Sequence, residues 1–75
     1  MEGKLRKIFA NVLKISEAEV SDSTSRENTV EWDSLNHLML LTEIEKDYKI
    51  KFTASDTLKM GSFKKISDFL KQKGF

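Results

Sequence analysis

Asp33, Ser34 and His37 are the side chains of this 75-residue sequence whose types and spacing could carry chemistry. Ser34 offers a hydroxyl, either as a nucleophile or as a point of covalent attachment. His37 is the sole histidine and falls about one helical turn after Ser34, on the same side of a helix. A working Ser/His pair also needs an orienting acid, an oxyanion hole and a cleft. A domain this short buries only about 60% of its unfolded surface and has little room for a cleft. Hydrolysis is therefore not expected, and His37 reads as a solvated side chain. With one histidine and no cysteine, no group of residues has metal-ligand spacing, and no disulfide can reinforce the core. There is no glycine-rich phosphate loop.

Helices must position Ser34, because amphipathic spacing dominates and no segment alternates with period two. A first helix is expected over about Glu2–Lys14, with Leu5, Ile8, Phe9, Val12 and Leu13 on one face. Ser16-x-x-Glu19 reads as a capping box over a single turn ending near Val20. Residues 21–33 are polar and rich in Ser, Thr and Asn; such a long loop in a small domain leans towards function. The second helix opens at Asp33-Ser34 and runs to about Lys49. Thr53-x-x-Asp56 is another capping box, opening a short helix to about Met60. Gly61 and Ser62 then introduce a last helix over about Phe63–Lys73, with Phe63, Ile66, Phe69 and Leu70 on its apolar face. The expected architecture is all-α: one domain over residues 1–75, a bundle of three long helices and one short one.

At the start of the second helix Asp33 is a good N-cap, and its charge complements the positive end of the helix dipole. That leaves the Ser34 hydroxyl unemployed, although an Asp-Ser pair at a helix start is by itself ordinary structure. A phosphodiester on Ser34 would also lie where the dipole favours anions. Projected at 100° per residue, Leu40, Leu41, Ile44 and Tyr48 form one apolar face, and Leu35, Leu38 and Met39 a second nearly opposite. A helix in so small a bundle seldom buries both. The first face is expected in the core, and the second on a partner-binding surface or beneath the 21–33 loop.

Asp33-Ser34-Leu35 resembles the Asp-Ser-Leu signature of acyl carrier proteins, at the start of the second of four helices. The likeness extends through Ile15–Val20 as the turn after the first helix and Leu40-x-x-x-Ile44-Glu45-x-x-Tyr48 as the second-helix core. It continues through Ile50-x-Phe52 as a strand-like exit and Phe63-x-x-Ile66-x-x-Phe69-Leu70 as the fourth helix. The resemblance implies that Ser34 receives 4′-phosphopantetheine from coenzyme A through a separate phosphopantetheinyl transferase. The arm's thiol then holds acyl groups as thioesters, and the protein itself catalyses nothing. His37 could in that case lie near the arm's phosphate. Acyl-loading and acyl-accepting enzymes are the implied partners, with Asp33, Leu35, Leu38, Met39 and Glu45 as candidate contacts on the family's main recognition helix. An aminoacyl or peptidyl carrier would use the same fold and serine. Thr29–Trp32 departs from the family's usual glycine before the serine; Trp32 either packs across the loop or touches the arm. Typical fatty-acid carriers are acidic throughout, with acids where Met39 and Lys46 stand here, so the resemblance points to a specialised pathway of lipid or polyketide type.

The charge is unevenly spread: net +1 over residues 1–26, −5 over 27–48 and +5 over 49–75. The acidic middle suits a basic groove on a partner enzyme. The terminal lysines do not suggest nucleic-acid binding, because Lys64, Lys65 and Lys71 spread over a solvated arc without interleaved aromatics. The remaining rival is a helical interaction module without a prosthetic group. No apolar run approaches the ~20 residues that span a bilayer, and Met1–Lys4 has no secretory character, so a monomeric cytoplasmic protein with no membrane insertion is expected.

Overall fold

The computed structural model of the protein describes residues 2–75. Four α-helices follow in order: α1 (Glu2–Leu13), α2 (Ser34–Tyr48), α3 (Ala54–Leu58) and α4 (Phe63–Gln72), with a 3-10 turn at Glu17–Glu19. Each helix stops one or two residues short of its sequence-based end. Lys14 and Lys49 leave α1 and α2 in the left-handed region, with φ of 58° and 57°, which ends the helical ladder. Ile50–Phe52 forms no strand. The only bridge among the described residues is an isolated antiparallel one between Ser25 and Ser62.

The apolar stripes of α1, α2 and α4 converge on Phe9, which is fully buried. Phe63 meets its ring edge-on at 5.0 Å and Trp32 at 5.2 Å. Leu5, Ile8 and Leu13 from α1 meet Leu40, Leu41, Ile44 and Tyr48 from α2 and Ile66 and Leu70 from α4. Val12 and Phe69 are only partly buried at the margin of this cluster. Val20 and Met60 close it from the connecting segments.

The long 21–33 segment has regular anchors despite its irregular path. Phe63 N–H donates to Thr24 O at 2.9 Å, and Arg26 N–H to Gly61 O at 3.0 Å. Thr24 is itself buried, its hydroxyl donating to Glu19 O at 3.1 Å while accepting from Ser21 N–H at 2.9 Å. Asn28 donates to Ser23 O at 2.7 Å and accepts from Ser25 N–H at 3.0 Å. These bonds satisfy backbone groups that no helix or sheet provides for, and they fix the course of the loop towards α2.

Capping behaves as the residue types require. Glu19 accepts from both the N–H and the hydroxyl of Ser16. Asp56 N–H donates to Thr53 Oγ1, and Thr53 N–H to Asp56 Oδ2, each at 3.0 Å. The Thr53 backbone bond, ahead of a smaller opposing desolvation effect, lowers the Asp56 carboxyl below its ordinary value of 3.8. A carboxyl lowered in the folded state stabilises that state in full above its unfolded value, and the benefit disappears as pH falls through the folded one. Hydrogen exchange of the α3 amides should therefore accelerate as pH drops below about 4, beyond the intrinsic exchange rate. Asp56→Asn should remove this extra acid dependence. Equal acid dependence in both proteins would contradict the capping role.

Candidate functional site

Ser34 is the first residue of α2 and is exposed. Asp33 does the capping: its Oδ1 accepts from Asn36 N–H at 2.8 Å, and its backbone carbonyl accepts from His37 N–H at 2.8 Å. Asn36 in turn donates to Glu31 O at 2.7 Å, holding the entry to the helix. The serine hydroxyl is thus spared from capping, as its position beside a better cap suggests. It has one partner that sequence reasoning missed. The Arg26 guanidinium donates to Ser34 Oγ at 3.3 Å. The two residues lie eight apart across an irregular loop, and no periodic pattern connects them.

His37 overturns the expectation of a solvated side chain. It is buried, with Nδ1 accepting from Trp32 Nε1–H at 2.9 Å and Nε2 bonded to Thr57 O at 3.0 Å. An indole nitrogen can only donate, so Nδ1 is the acceptor and Nε2 carries the proton given to the carbonyl. Neither ring nitrogen is left to take a proton from Ser34, which removes the Ser/His nucleophilic pair, or to approach a phosphate. The signal was present in the helical projection. His37 falls at about 200° from Leu35, between Ile44 at about 180° and Tyr48 at about 220°, in the middle of the core face. Trp32 is likewise resolved: it is 2% exposed and packs across the loop against Phe9.

The second apolar face of α2 is uncovered. Leu35, Leu38 and Met39 are 67%, 61% and 49% exposed, so the loop does not lie over them. Two further apolar side chains, Val30 in the loop and Leu58 at the end of α3, are almost fully exposed; neither belongs to a periodic face that sequence reading would find. Asp33 is exposed beside Ser34. Glu45 differs from the expected surface contact: it is half-buried, and its Oε2 accepts from Phe52 N–H at 2.6 Å, binding the α2–α3 connection to the helix.

An exposed hydroxyl spared from capping, in contact with a cation and near an apolar patch, suits a covalently attached anionic group. Comparison with known proteins points to a family that carries such a group. A family model described as a phosphopantetheine attachment site matches residues 3–70. The solution structure of a holo acyl carrier protein from Geobacter metallireducens superposes with a TM-score of 0.83 at 30% identity. The match covers 95% of this chain and 82% of that one. No curated protein matches the chain. Fold and site together define a phosphopantetheine-bearing carrier rather than an enzyme. The chain belongs to the acyl carrier protein family, whose prosthetic group is 4′-phosphopantetheine.

The buried Trp32–His37–Thr57 connection should be measurable in stability. His37→Ala leaves an indole N–H and a carbonyl without their partner and opens a void. Its expected cost is about 2–4 kcal/mol in urea unfolding. Trp32→Phe keeps most of the packing and removes the donor, and should cost less, about 1–2 kcal/mol. A His37→Ala cost within about 0.5 kcal/mol of zero is what a solvated histidine would give.

Proposed function

We propose that Ser34 is the residue that carries the phosphopantetheine arm, and that the protein holds acyl groups as thioesters for one dedicated biosynthetic system. The observation that carries the first part is the division of labour at the start of α2: Asp33 caps the helix, while Ser34 is exposed with its hydroxyl free of any capping bond. The arm supplies the thiol that a cysteine-free chain lacks, and tethering holds the cargo at high effective concentration near successive enzymes.

The exposed face of Leu35, Leu38 and Met39, with Asp33 at its edge, is the docking surface in this reading, used by the phosphopantetheinyl transferase and by the acyl-loading and acyl-accepting enzymes. Glu45 contributes charge to it but has one oxygen committed to Phe52. A specialised pathway is supported by the uneven charge and by Met39 and Lys46 on a helix that carriers of general fatty-acid synthesis line with acids. The proposed setting is the cytoplasm, as a monomer. No described helix is long and apolar enough to cross a membrane.

The test is to incubate the protein with coenzyme A, Mg²⁺ and a broad-specificity phosphopantetheinyl transferase and to record the intact mass. Wild type should gain one phosphopantetheine and Ser34→Ala none. Failure of the wild type, while a known carrier in the same tube is modified, would refute the assignment. For the docking surface, Leu38→Ala should lower the transferase kcat/KM about tenfold, as loss of a buried interface anchor does. Its helix content should be unchanged. An unaltered kcat/KM would place docking elsewhere.

A further inference from the structure

We infer that Arg26 is the positioning residue for the arm, pairing its guanidinium with the phosphodiester formed on Ser34. The inference rests on the assignment of Ser34 and goes beyond it by naming what holds the attached group.

Arg26 is the one lysine or arginine between Lys14 and Lys46. Every other charged side chain from Ile15 to Glu45 is acidic, including Glu31 and Asp33 close before Ser34. An added phosphodiester therefore enters a negative neighbourhood, and Arg26 is the cation placed to offset it. The guanidinium already contacts the atom that becomes the ester oxygen, at 3.3 Å from Ser34 Oγ. Once that oxygen is bonded to phosphorus, the charged non-bridging oxygens lie two bonds further out, within reach of the same planar fork. Guanidinium matches such an oxygen pair with two parallel N–H donors, an arrangement that a lysine ammonium does not reproduce.

The placement is built into the fold. Arg26 N–H donates to Gly61 O at 3.0 Å, Ser25 bridges Ser62, and Phe63 N–H holds Thr24 O. These bonds fix the Arg26 backbone against the connection between α3 and α4. Asp33 and Asn36 independently fix Ser34 at the start of α2. Only the side chain of Arg26 has to be ordered when the arm is attached, which limits the entropic cost. The pairing would bias the first bond of the arm towards the loop side of α2. The pantetheine end would remain free to reach a partner.

The test compares apo and holo forms of wild type, Arg26→Gln and Arg26→Lys, each converted with coenzyme A and the transferase and verified by mass. The holo-minus-apo difference in Tm should be roughly 1–5 °C more favourable for wild type than for Arg26→Gln at low salt. That excess should vanish near 1 M salt, where the Debye length is about 3 Å. The ³¹P resonance of the holo protein should move on Arg26→Gln, with Arg26→Lys intermediate. A purely structural role of Arg26 would change the apo and holo Tm equally and leave the ³¹P line in place. Equal increments and an unmoved line in fully modified proteins would overturn the inference while leaving Ser34 as the attachment site. If no protein gained mass, both assignments would fall.

Discussion

The buried hydrogen bond from Trp32 Nε1 to His37 Nδ1, continued from Nε2 to the Thr57 carbonyl, ties together the parts of the molecule that frame Ser34. Trp32 ends the long loop, His37 lies in the first turns of α2 and Thr57 belongs to α3. The Trp32–His37 bond is buried and the His37–Thr57 bond part-buried, so a partner left unmet at the indole or imidazole would carry a desolvation cost. The indole ring adds an edge-on contact with Phe9 at the centre of the core. The consequence is that the residue immediately before the helix cap is fixed by the core rather than by solvent. Asp33 and Ser34 inherit a defined position from it.

From that constraint follows a separation of tasks within one helix. The face of α2 bearing His37, Leu40, Leu41, Ile44 and Tyr48 is spent on the fold. Its N-terminal end is capped by Asp33, which frees Ser34. Its far end is held by Glu45, whose carboxylate takes the Phe52 amide. What remains is the Leu35–Leu38–Met39 face, exposed on the same helix as the serine, so that in the proposed reading modification and docking would use one edge of the molecule. A carrier needs little else: a rigid post for the arm and a surface by which enzymes recognise the post. The small size of the chain is no obstacle, because the reactive thiol belongs to the prosthetic group and demands no catalytic cleft.

Local rules made much of this legible. The 100° projection separated the two apolar faces of α2, and cap residues marked Asp33, Thr53 and Ser62 correctly. The polarity of a residue type misled where tertiary structure decided. His37 lies at the centre of the core face, yet its polarity suggested solvent; only the indole donor and the α3 carbonyl make its burial tolerable. Glu45 likewise read as a surface acid because the amide it serves belongs to the next segment. Arg26 was beyond reach, since its approach to Ser34 depends on the loop being pinned to Gly61 and Phe63, more than thirty residues away in the chain. No local periodicity encodes such a contact.

The central claim is that the arm is attached to one particular oxygen, and peptide fragmentation tests it most directly. Trypsin cuts after Arg26 and Lys46, releasing residues 27–46, whose only hydroxyl side chains are Thr29, Ser34 and Thr42. In protein treated with coenzyme A and the transferase, this peptide should carry the whole added mass. Its fragment ions should show the modification between Asp33 and Leu35. An added mass on Thr29 or Thr42, or on any other tryptic peptide, would contradict the account.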